Sequence, residues 1–164
     1  MDNKYILSAE VTEMKLQRLA YEILEANPGE NHIIIAGILD NGFVVATALC
    51  EHLKKISSIT TELISVSLDK KHPETITINS QQDFSDKVII LVDDVTNSGK
   101  TLLYALKPFL EYYPKKIQTL VLVERSHKMY PIHPDFVGLS LATTLMEHIY
   151  VEVEGSSLKG AYLK

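Results

Sequence analysis

An apolar run that stops at two acids is the feature of this sequence that most constrains its fold. Residues Val88–Val92 are all apolar, and Asp93 and Asp94 follow them directly. A continuous run rich in β-branched residues is typical of a strand that is buried on both faces of a parallel sheet. The segment His32–Ala36 has the same character. The two runs therefore predict a parallel sheet that helices cover on both sides.

Helical and strand patterns alternate along the rest of the chain. Helices are predicted at Ser8–Ala26, with Ser8 as the N-cap, at Phe43–Ile56 and at Thr101–Tyr112. Further strands are predicted at Thr61–Leu68, Gln118–Val123 and, as an edge strand, His148–Val153. The remaining segments are predicted as loops at Gly37–Gly42 and Asp93–Lys100, a polar excursion with hairpin character at Asp69–Asp86, and a frayed tail at Gly155–Lys164. Strands separated by helices imply right-handed crossovers, so the predicted fold class is α/β with a doubly wound parallel sheet.

Length and composition limit the class of protein. The 164 residues fit a single domain, 1–164, with one core. The 16 lysines and arginines are outnumbered by 21 acids, and the net charge of −5 argues against a dedicated, strongly basic nucleic-acid binder. A lone cysteine, Cys50, cannot form an intramolecular disulfide, and its apolar neighbours predict an inert buried thiol. With no signal-peptide core and no apolar run of about 20 residues, we expect a cytoplasmic protein with no membrane partner.

The residues that follow the acidic pair suit a sugar phosphate. In an open α/β sheet, ligands bind beyond the carboxyl ends of the strands. Gly99 lets the backbone approach an anion closely, and a helix is predicted to begin just after it. Asp93 and Asp94 can accept hydrogen bonds from ribose hydroxyls or bind a hydrated Mg²⁺. The hydroxyl side chains available to phosphate oxygens are Thr96, Ser98 and Thr101.

The same segment allows two other interpretations. Ser98–Thr101 matches the end of the ATP-binding pattern G-x-x-x-x-G-K-[ST], but its first glycine would fall at Asp94, whose charge would repel a triphosphate. Alternatively, Asp93 and Asp94 could merely cap the next helix. Two adjacent acids after a buried run, with hydroxyl residues and a glycine behind them, favour a ligand site.

The segment Ile89–Thr101 resembles the thirteen-residue 5-phosphoribosyl-1-pyrophosphate (PRPP) motif of type I phosphoribosyltransferases. Further along, Glu124–Ile132 and then Asp135–Gly138 are similar to the pyrimidine operon attenuation regulators, a family of bifunctional uracil phosphoribosyltransferases. The residues that match this second pattern are Arg125, His127, Pro131 and Ile132. The resemblance extends from Ile6 to Val153. It implies a type I phosphoribosyltransferase fold with a flexible lid, PRPP and a nucleobase as substrates, Mg²⁺ as cofactor and a homodimer.

The resemblance also implies a role for each segment. Asp93 and Asp94 would hold the ribose hydroxyls and the metal, and the lid, Asp69–Asn79, would close over PRPP with its cations Lys70 and Lys71. The loop before the second helix would bind pyrophosphate through backbone amides, with Gly42 easing a bend. The substrate-binding residues implied in this way are Ile38, Leu39, Asp40, Asn41, Gly42, Val95, Thr96, Asn97, Ser98, Gly99, Lys100, Thr101, Arg125 and His127.

Two departures from the family pattern leave a second function open. Asn41 stands where the regulators usually have an arginine, and Asp40 beside it adds negative charge near the pyrophosphate. The lid carries lysines in place of an arginine, and lysine lacks the bidentate fork. The alternative to a uracil-favouring transferase is therefore a catalytically weak PRPP or nucleotide sensor that binds pyrimidine-operon RNA.

Features that could support RNA or metal binding are weak in this sequence. Only two arginines are present, which disfavours RNA binding. The candidates for an RNA-facing patch are Lys54–Lys55 and Lys115–Lys116, although cations at helix ends are more often solvated caps. His127 and His133, six residues apart and without cysteine or glutamate partners, make a weak metal site.

Overall fold

The chain forms two β-sheets, and the computed structural model describes residues 3–164. The strands are β1 (Lys4–Leu7), β2 (His32–Ile38), β3 (Thr60–Leu68), β4 (Ile76–Ile78), β5 (Val88–Thr96), β6 (Lys116–Arg125), β7 (Phe136–Leu141), β8 (Ile149–Glu154) and β9 (Ser157–Leu163). The helices are α1 (Ala9–Ala26), α2 (Asn41–Ile56) and α3 (Lys100–Ala105), and a 3-10 helix, Lys107–Glu111, follows α3. None of the helices in this part of the chain is both long and apolar enough to span a membrane.

The larger sheet confirms the predicted α/β class. Its strand order is β4-β3-β2-β5-β6-β7, and all neighbouring pairs except β3–β4 are parallel. The two apolar runs lie side by side at its centre, with Ala36 opposite Leu91. Alternate residues of β2 face different cores, since Ile33 packs with the α1 and α2 residues and Ile34 packs with those of α3. Both faces of the central strands are therefore buried, as the lack of polar residues in them predicts.

Helix α1 begins and ends where its sequence predicts. Ser8 Oγ accepts a hydrogen bond from the backbone N–H of Val11 at 3.2 Å, which satisfies one of the free donors of the first turn. At the other end, the Asn27 side-chain amide donates to the Ile23 carbonyl at 2.8 Å and to Gln118 Oε1 at 2.9 Å. These bonds fix the helix against the amino-terminal end of β6.

The prediction of a frayed tail was wrong. Residues Ser157–Leu163 form the central strand of a second, three-stranded sheet with the order β1-β9-β8. Tyr162 lies opposite Tyr5 on one side and Tyr150 on the other. A side chain at Gly160 would meet the Leu7 carbonyl oxygen at 2.2 Å, so only glycine allows these strands to approach. The pairing joins the two ends of the chain, and this is why a local pattern could not predict it.

Other helix and strand boundaries differ from the prediction at the carboxyl edge of the larger sheet. Strand β5 continues through the acids to Thr96, and the predicted long helix ends at Ala105 before a 3-10 turn that contains Pro108. The expected loop before α2 is reduced to Leu39 and Asp40, joined by a cis peptide bond. The polar excursion contains β4, which pairs with β3 as a hairpin. Strands β1 and β7 were not predicted.

Candidate active site

Two adjoining cavities lie at the carboxyl edge of the larger sheet. One cavity, of about 250 Å³, is lined by Val95 and by the Gly99 loop, which we define as Thr96–Thr101. The other, of about 400 Å³, is lined by Leu39–Asn41, Leu68–Lys70 and Asp94, and we call it the Asp40 cavity. Lys70 lines both and therefore lies where they meet. The structure thus brings together two loops that are more than 50 residues apart in the sequence.

The two acids of β5 occupy different environments. Asp93 is fully buried, and its Oδ1 accepts a hydrogen bond from the Asp94 N–H at 2.9 Å. The Asp94 side chain is 13% exposed and lines the Asp40 cavity. Burial, together with the charge of Asp94, raises the pKa of Asp93 to about 8, although Lys70 acts in the opposite direction. Burial therefore disfavours the charged form of Asp93, and Asp94 is the carboxyl group of the pair that lines a cavity.

Lys70 reaches from the lid onto the acidic pair. Its Nζ lies 3.3 Å and 3.4 Å from the two carboxylate oxygens of Asp93 and 3.8 Å from Asp94 Oδ1. Lys71 differs, because its side chain is exposed and its backbone carbonyl accepts a long hydrogen bond from Lys100 Nζ at 3.4 Å. Of the two lid cations predicted from the sequence, the structure places Lys70 in the site and Lys71 at its rim.

The backbone of the Gly99 loop is shaped by one glycine. Gly99 has a φ of 88°, in the left-handed region that favours glycine, and a side chain there would meet Ile132 Cγ2 at 2.7 Å. Ser98 Oγ accepts a hydrogen bond from the Lys100 N–H at 3.3 Å. The predicted residues Val95–Thr101 all line this cavity, with three hydroxyl groups and the start of α3 among them.

Asn41 and Gly42 make contacts within the fold beyond the roles that the resemblance implies. The Asn41 side-chain amide donates to the Val151 carbonyl at 3.2 Å, which ties the start of α2 to β8 of the smaller sheet. Gly42 lies in the first turn of α2, where a Cβ atom would come within 2.9 Å of Asp93 Cα and Oδ1. Gly42 therefore allows α2 to pack against Asp93. Ile38 is buried in the core and lines neither cavity.

Arg125 and His127 also lie outside both cavities. The Arg125 guanidinium donates to the Thr144 carbonyl at 2.7 Å, and its buried Nε has no hydrogen-bond partner among the described residues. His127 is exposed on the loop after β6. An ion pair next to these residues was not predicted from the sequence: Lys128 Nζ lies 3.3 Å from Glu124 Oε1, and both side chains are largely buried. A lysine in a polar loop gives no sequence signal of burial.

The basic pairs considered as an RNA patch are partly engaged within the fold. Lys115 forms an ion pair with Glu30, and Lys116 Nζ donates to the Ala26 carbonyl at 2.8 Å. Both residues lie at the start of β6, the end opposite the cavities. Lys54–Lys55 are in the last turn of α2, where their charge is favourable. Cys50 is buried as predicted, and burial raises the pKa of its thiol.

This sheet and this edge are those of a type I phosphoribosyltransferase, and the chain belongs to that family: residues 2–154 match the family described as Phosphoribosyl transferase domain. Its relatives include proteins named Bifunctional protein PyrR. The one from Enterococcus faecalis is 33% identical over 163 residues, covering 94% of this chain and 92% of the relative. The one from Clostridium acetobutylicum is 33% identical over 160 residues, covering 92% and 90%. The resemblance drawn from the sequence is thereby confirmed.

Solved structures show the same fold at lower identity. A hypoxanthine-guanine phosphoribosyltransferase from Bacillus anthracis matches with a TM-score of 0.76 and 22% identity, covering 91% of this chain and 86% of that one. A hypoxanthine phosphoribosyltransferase from Trypanosoma cruzi matches with a TM-score of 0.79 and 14% identity, covering 98% and 95%. At these identities the likeness establishes the fold.

Proposed function

We propose that this chain transfers the 5-phosphoribosyl group of PRPP to a nucleobase, with uracil as the favoured acceptor. The observation that supports this most strongly is the pair of adjoining cavities, with Lys70 at their junction and Asp94 Oδ1 3.8 Å from Lys70 Nζ on the side of the Asp40 cavity. PRPP has a phosphate at one end of its ribose and a pyrophosphate at the other. A ribose that spans the junction would place one anionic group in each cavity and its hydroxyls beside Asp94.

The Gly99 loop suits the 5-phosphate. Backbone N–H groups before α3 and the hydroxyls of Thr96, Ser98 and Thr101 are the donors that a phosphate requires. The Asp40 cavity suits the pyrophosphate for a different reason. It lies at the amino terminus of α2, a helix of 16 residues whose free N–H groups and dipole favour an anion.

The acidic pair would act on the charge that develops during transfer. The bond between ribose C1 and the pyrophosphate oxygen breaks, the oxygen keeps the electron pair, and a base nitrogen forms the new bond to C1 and loses its proton to the departing pyrophosphate. Positive charge therefore builds on the ribose ring. The Asp94 carboxylate beside the ring is placed to stabilise that charge while it orients the hydroxyls.

Mg²⁺ fits the donors that the site offers. Among residues 3–164 there is no group of three His, Cys, Asp or Glu side chains that could hold a metal on their own. Mg²⁺ is usually bound by one or two carboxylates together with water and substrate phosphates. We propose that Asp94, and Asp93 once Lys70 has moved, hold the ion with PRPP. The ion would neutralise charge on the leaving pyrophosphate and offset the repulsion from Asp40.

Lys70 must leave its present position for PRPP to bind across the junction. Its ammonium is paired with the acids, but its side chain is 45% exposed and belongs to the lid. We propose that the ligand displaces Lys70 from the acids and that the ammonium then pairs with the pyrophosphate as the lid closes. Closure would also exclude water that could hydrolyse PRPP.

Isothermal titration with PRPP and Mg²⁺, followed in the same cell by single nucleobases, tests this function. We expect PRPP to bind and uracil to start turnover. ATP with Mg²⁺ is the matched control, and it should give no heat of binding because Asp94 replaces the first glycine of the ATP-binding pattern. Turnover with another base alone would reassign the acceptor. A failure of PRPP to bind would contradict the proposal.

The sensor function is a second proposal, and the contact made by Asn41 favours it. The Asn41 amide is engaged with the Val151 carbonyl, and Asn41 stands where the resemblance implies an arginine. Under this proposal PRPP binds without turnover, and the chain binds pyrimidine-operon leader RNA. Filter binding at low and at physiological salt tests the RNA part, because binding carried by lysine contacts must weaken as salt rises. The expected homodimer is tested by sedimentation.

A further inference from the structure

Lys128 is a buried lysine that contacts the Gly99 loop from outside the two cavities. Its side chain is 9% exposed, and that of its partner Glu124 is 16% exposed. Besides the ion pair at 3.3 Å, its Nζ donates to the Arg125 carbonyl at 2.8 Å and to the Asn97 carbonyl at 3.5 Å. The ion pair and both hydrogen bonds go to groups of this chain, and Lys128 lines neither cavity.

The backbone that follows Lys128 continues the same set of contacts. The N–H groups of Met129 and Tyr130 both donate to the Ser98 carbonyl, at 2.9 Å and 3.0 Å. Residues 128–130 thus supply donors to two consecutive carbonyl oxygens of the Gly99 loop, those of Asn97 and Ser98. We call these three residues the brace.

A loop that binds an anion through its N–H groups must turn its carbonyl oxygens away, since these carry partial negative charge. The brace holds two of those oxygens on its own side of the loop. Helix α3 spans only six residues, so the orientation of single peptide groups matters more here than a helix dipole. Glu124 lies in register with Thr96 across β5 and β6, so the ion pair anchors the brace where the loop begins.

We propose that Lys128 is a positioning residue for the 5-phosphate site. It holds the brace against Asn97 and Ser98, and so keeps the N–H groups of the Gly99 loop directed at the phosphate without touching the ligand. This inference rests on the proposed function, because it assumes that the Gly99 loop binds the phosphate of PRPP.

A purely structural role would leave a different signature. Removing Lys128 alone leaves Glu124 buried and unpaired, which destabilises the fold whatever the loop does. Removing both charges avoids that cost, and replacement of a buried ion pair by uncharged groups is often close to neutral for stability. The double variant Glu124→Gln/Lys128→Met therefore separates stability from positioning, and Lys128→Arg is the conservative variant that keeps the charge.

The experiment is a titration of ribose 5-phosphate into the wild type, Lys128→Met, Lys128→Arg and the double variant, each also unfolded in urea. We expect Lys128→Met and the double variant to bind ribose 5-phosphate at least about tenfold more weakly. Both variants lose the charge-assisted hydrogen bond that holds the Asn97 carbonyl away from the phosphate. The double variant should regain most of the stability that Lys128→Met loses, and Lys128→Arg should keep most of the affinity. In turnover assays the KM for PRPP should rise while the KM for the base stays unchanged.

Two results would be decisive against these claims, and they differ. If the double variant binds ribose 5-phosphate as tightly as the wild type, Lys128 has only a structural role and the inference is wrong. If the wild type itself binds neither ribose 5-phosphate nor PRPP, the proposed function fails before any variant is compared, and the inference fails with it.

Discussion

The two sides of the site are built in different ways. The Gly99 loop presents backbone and hydroxyl groups from one continuous segment, and the brace holds it from behind. The Asp40 cavity is assembled from the ends of β2 and β3 and from Asp94, and its positive charge comes from one exposed lid side chain, Lys70. The first side is already shaped without a ligand, whereas the proposed function requires a movement of Lys70 to complete the second. This contrast predicts separate effects for changes on each side.

The largest expected effect concerns Asp93, the buried acid of the pair. Its pKa of about 8 lies well above the ordinary value of 3.8, so the folded state favours the protonated acid. Stability contributed by that proton is present below pH 4 and is lost as the pH rises towards 8. Asp93→Asn removes this dependence, so the free energy of unfolding of the variant should rise relative to that of the wild type as the pH increases from 5 to 8.

Urea unfolding of both proteins at the two pH values measures that difference. The variant should also lose phosphoribosyl transfer, since Asp93 belongs to the site. A constant stability difference between pH 5 and pH 8 would mean that Asp93 is ionised in the folded chain.

The second largest effect is expected for a change in the Gly99 loop alone. Gly99→Ala requires a residue with a Cβ to keep a φ of 88° and pushes that Cβ against Ile132. We expect a loss of about 2–3 kcal/mol in the free energy of unfolding, combining the left-handed backbone and the crowding. Binding of ribose 5-phosphate should weaken with it.

Gly155→Ala is the matched control for that variant. Gly155 also has a positive φ, 61°, but nothing lies within 4 Å of the Cβ that a side chain would add. It should lose only about 1–2 kcal/mol, the backbone cost, and bind ribose 5-phosphate normally. Equal losses of stability and affinity in both variants would show that the contact with Ile132 has no role.

A smaller effect is expected for the acid at the junction. Asp94→Asn removes the accessible carboxylate charge while keeping its size, and the affinity for PRPP should fall by about 1.5–3 kcal/mol. Calorimetry with PRPP and Mg²⁺ measures this directly. Unchanged affinity would mean that the ribose and the metal lie elsewhere.

The smallest effect is expected for Lys70, the lid residue of the Asp40 cavity. Lys70→Met should weaken binding of pyrophosphate by about 1 kcal/mol, as expected for a partly exposed ion pair, and leave ribose 5-phosphate unaffected. Lys71→Met is the matched control, since the Lys71 side chain lies at the rim. A loss of ribose 5-phosphate binding in Lys70→Met would contradict the separation of the two sides.

The same contrast explains what the sequence could predict. Local pattern and the family resemblance located the central strands and the acids of β5 with the hydroxyl and glycine residues after them. Each of these features is one continuous stretch of sequence. Lys70 and Asp93 are 23 positions apart in the sequence, and the brace joins the loops that follow β5 and β6. Such contacts depend on the lid and the loops being packed, and no local pattern encodes them. The pairing of β9 between β1 and β8 was missed for the same reason.

The most direct test of the central claim is a competition between the two halves of PRPP on the wild-type chain. Ribose 5-phosphate and pyrophosphate with Mg²⁺ should bind together, one to each cavity, and PRPP should displace both. If ribose 5-phosphate and pyrophosphate exclude each other, or if PRPP leaves either of them bound, then PRPP does not span the junction at Asp94 and the account of the site is wrong.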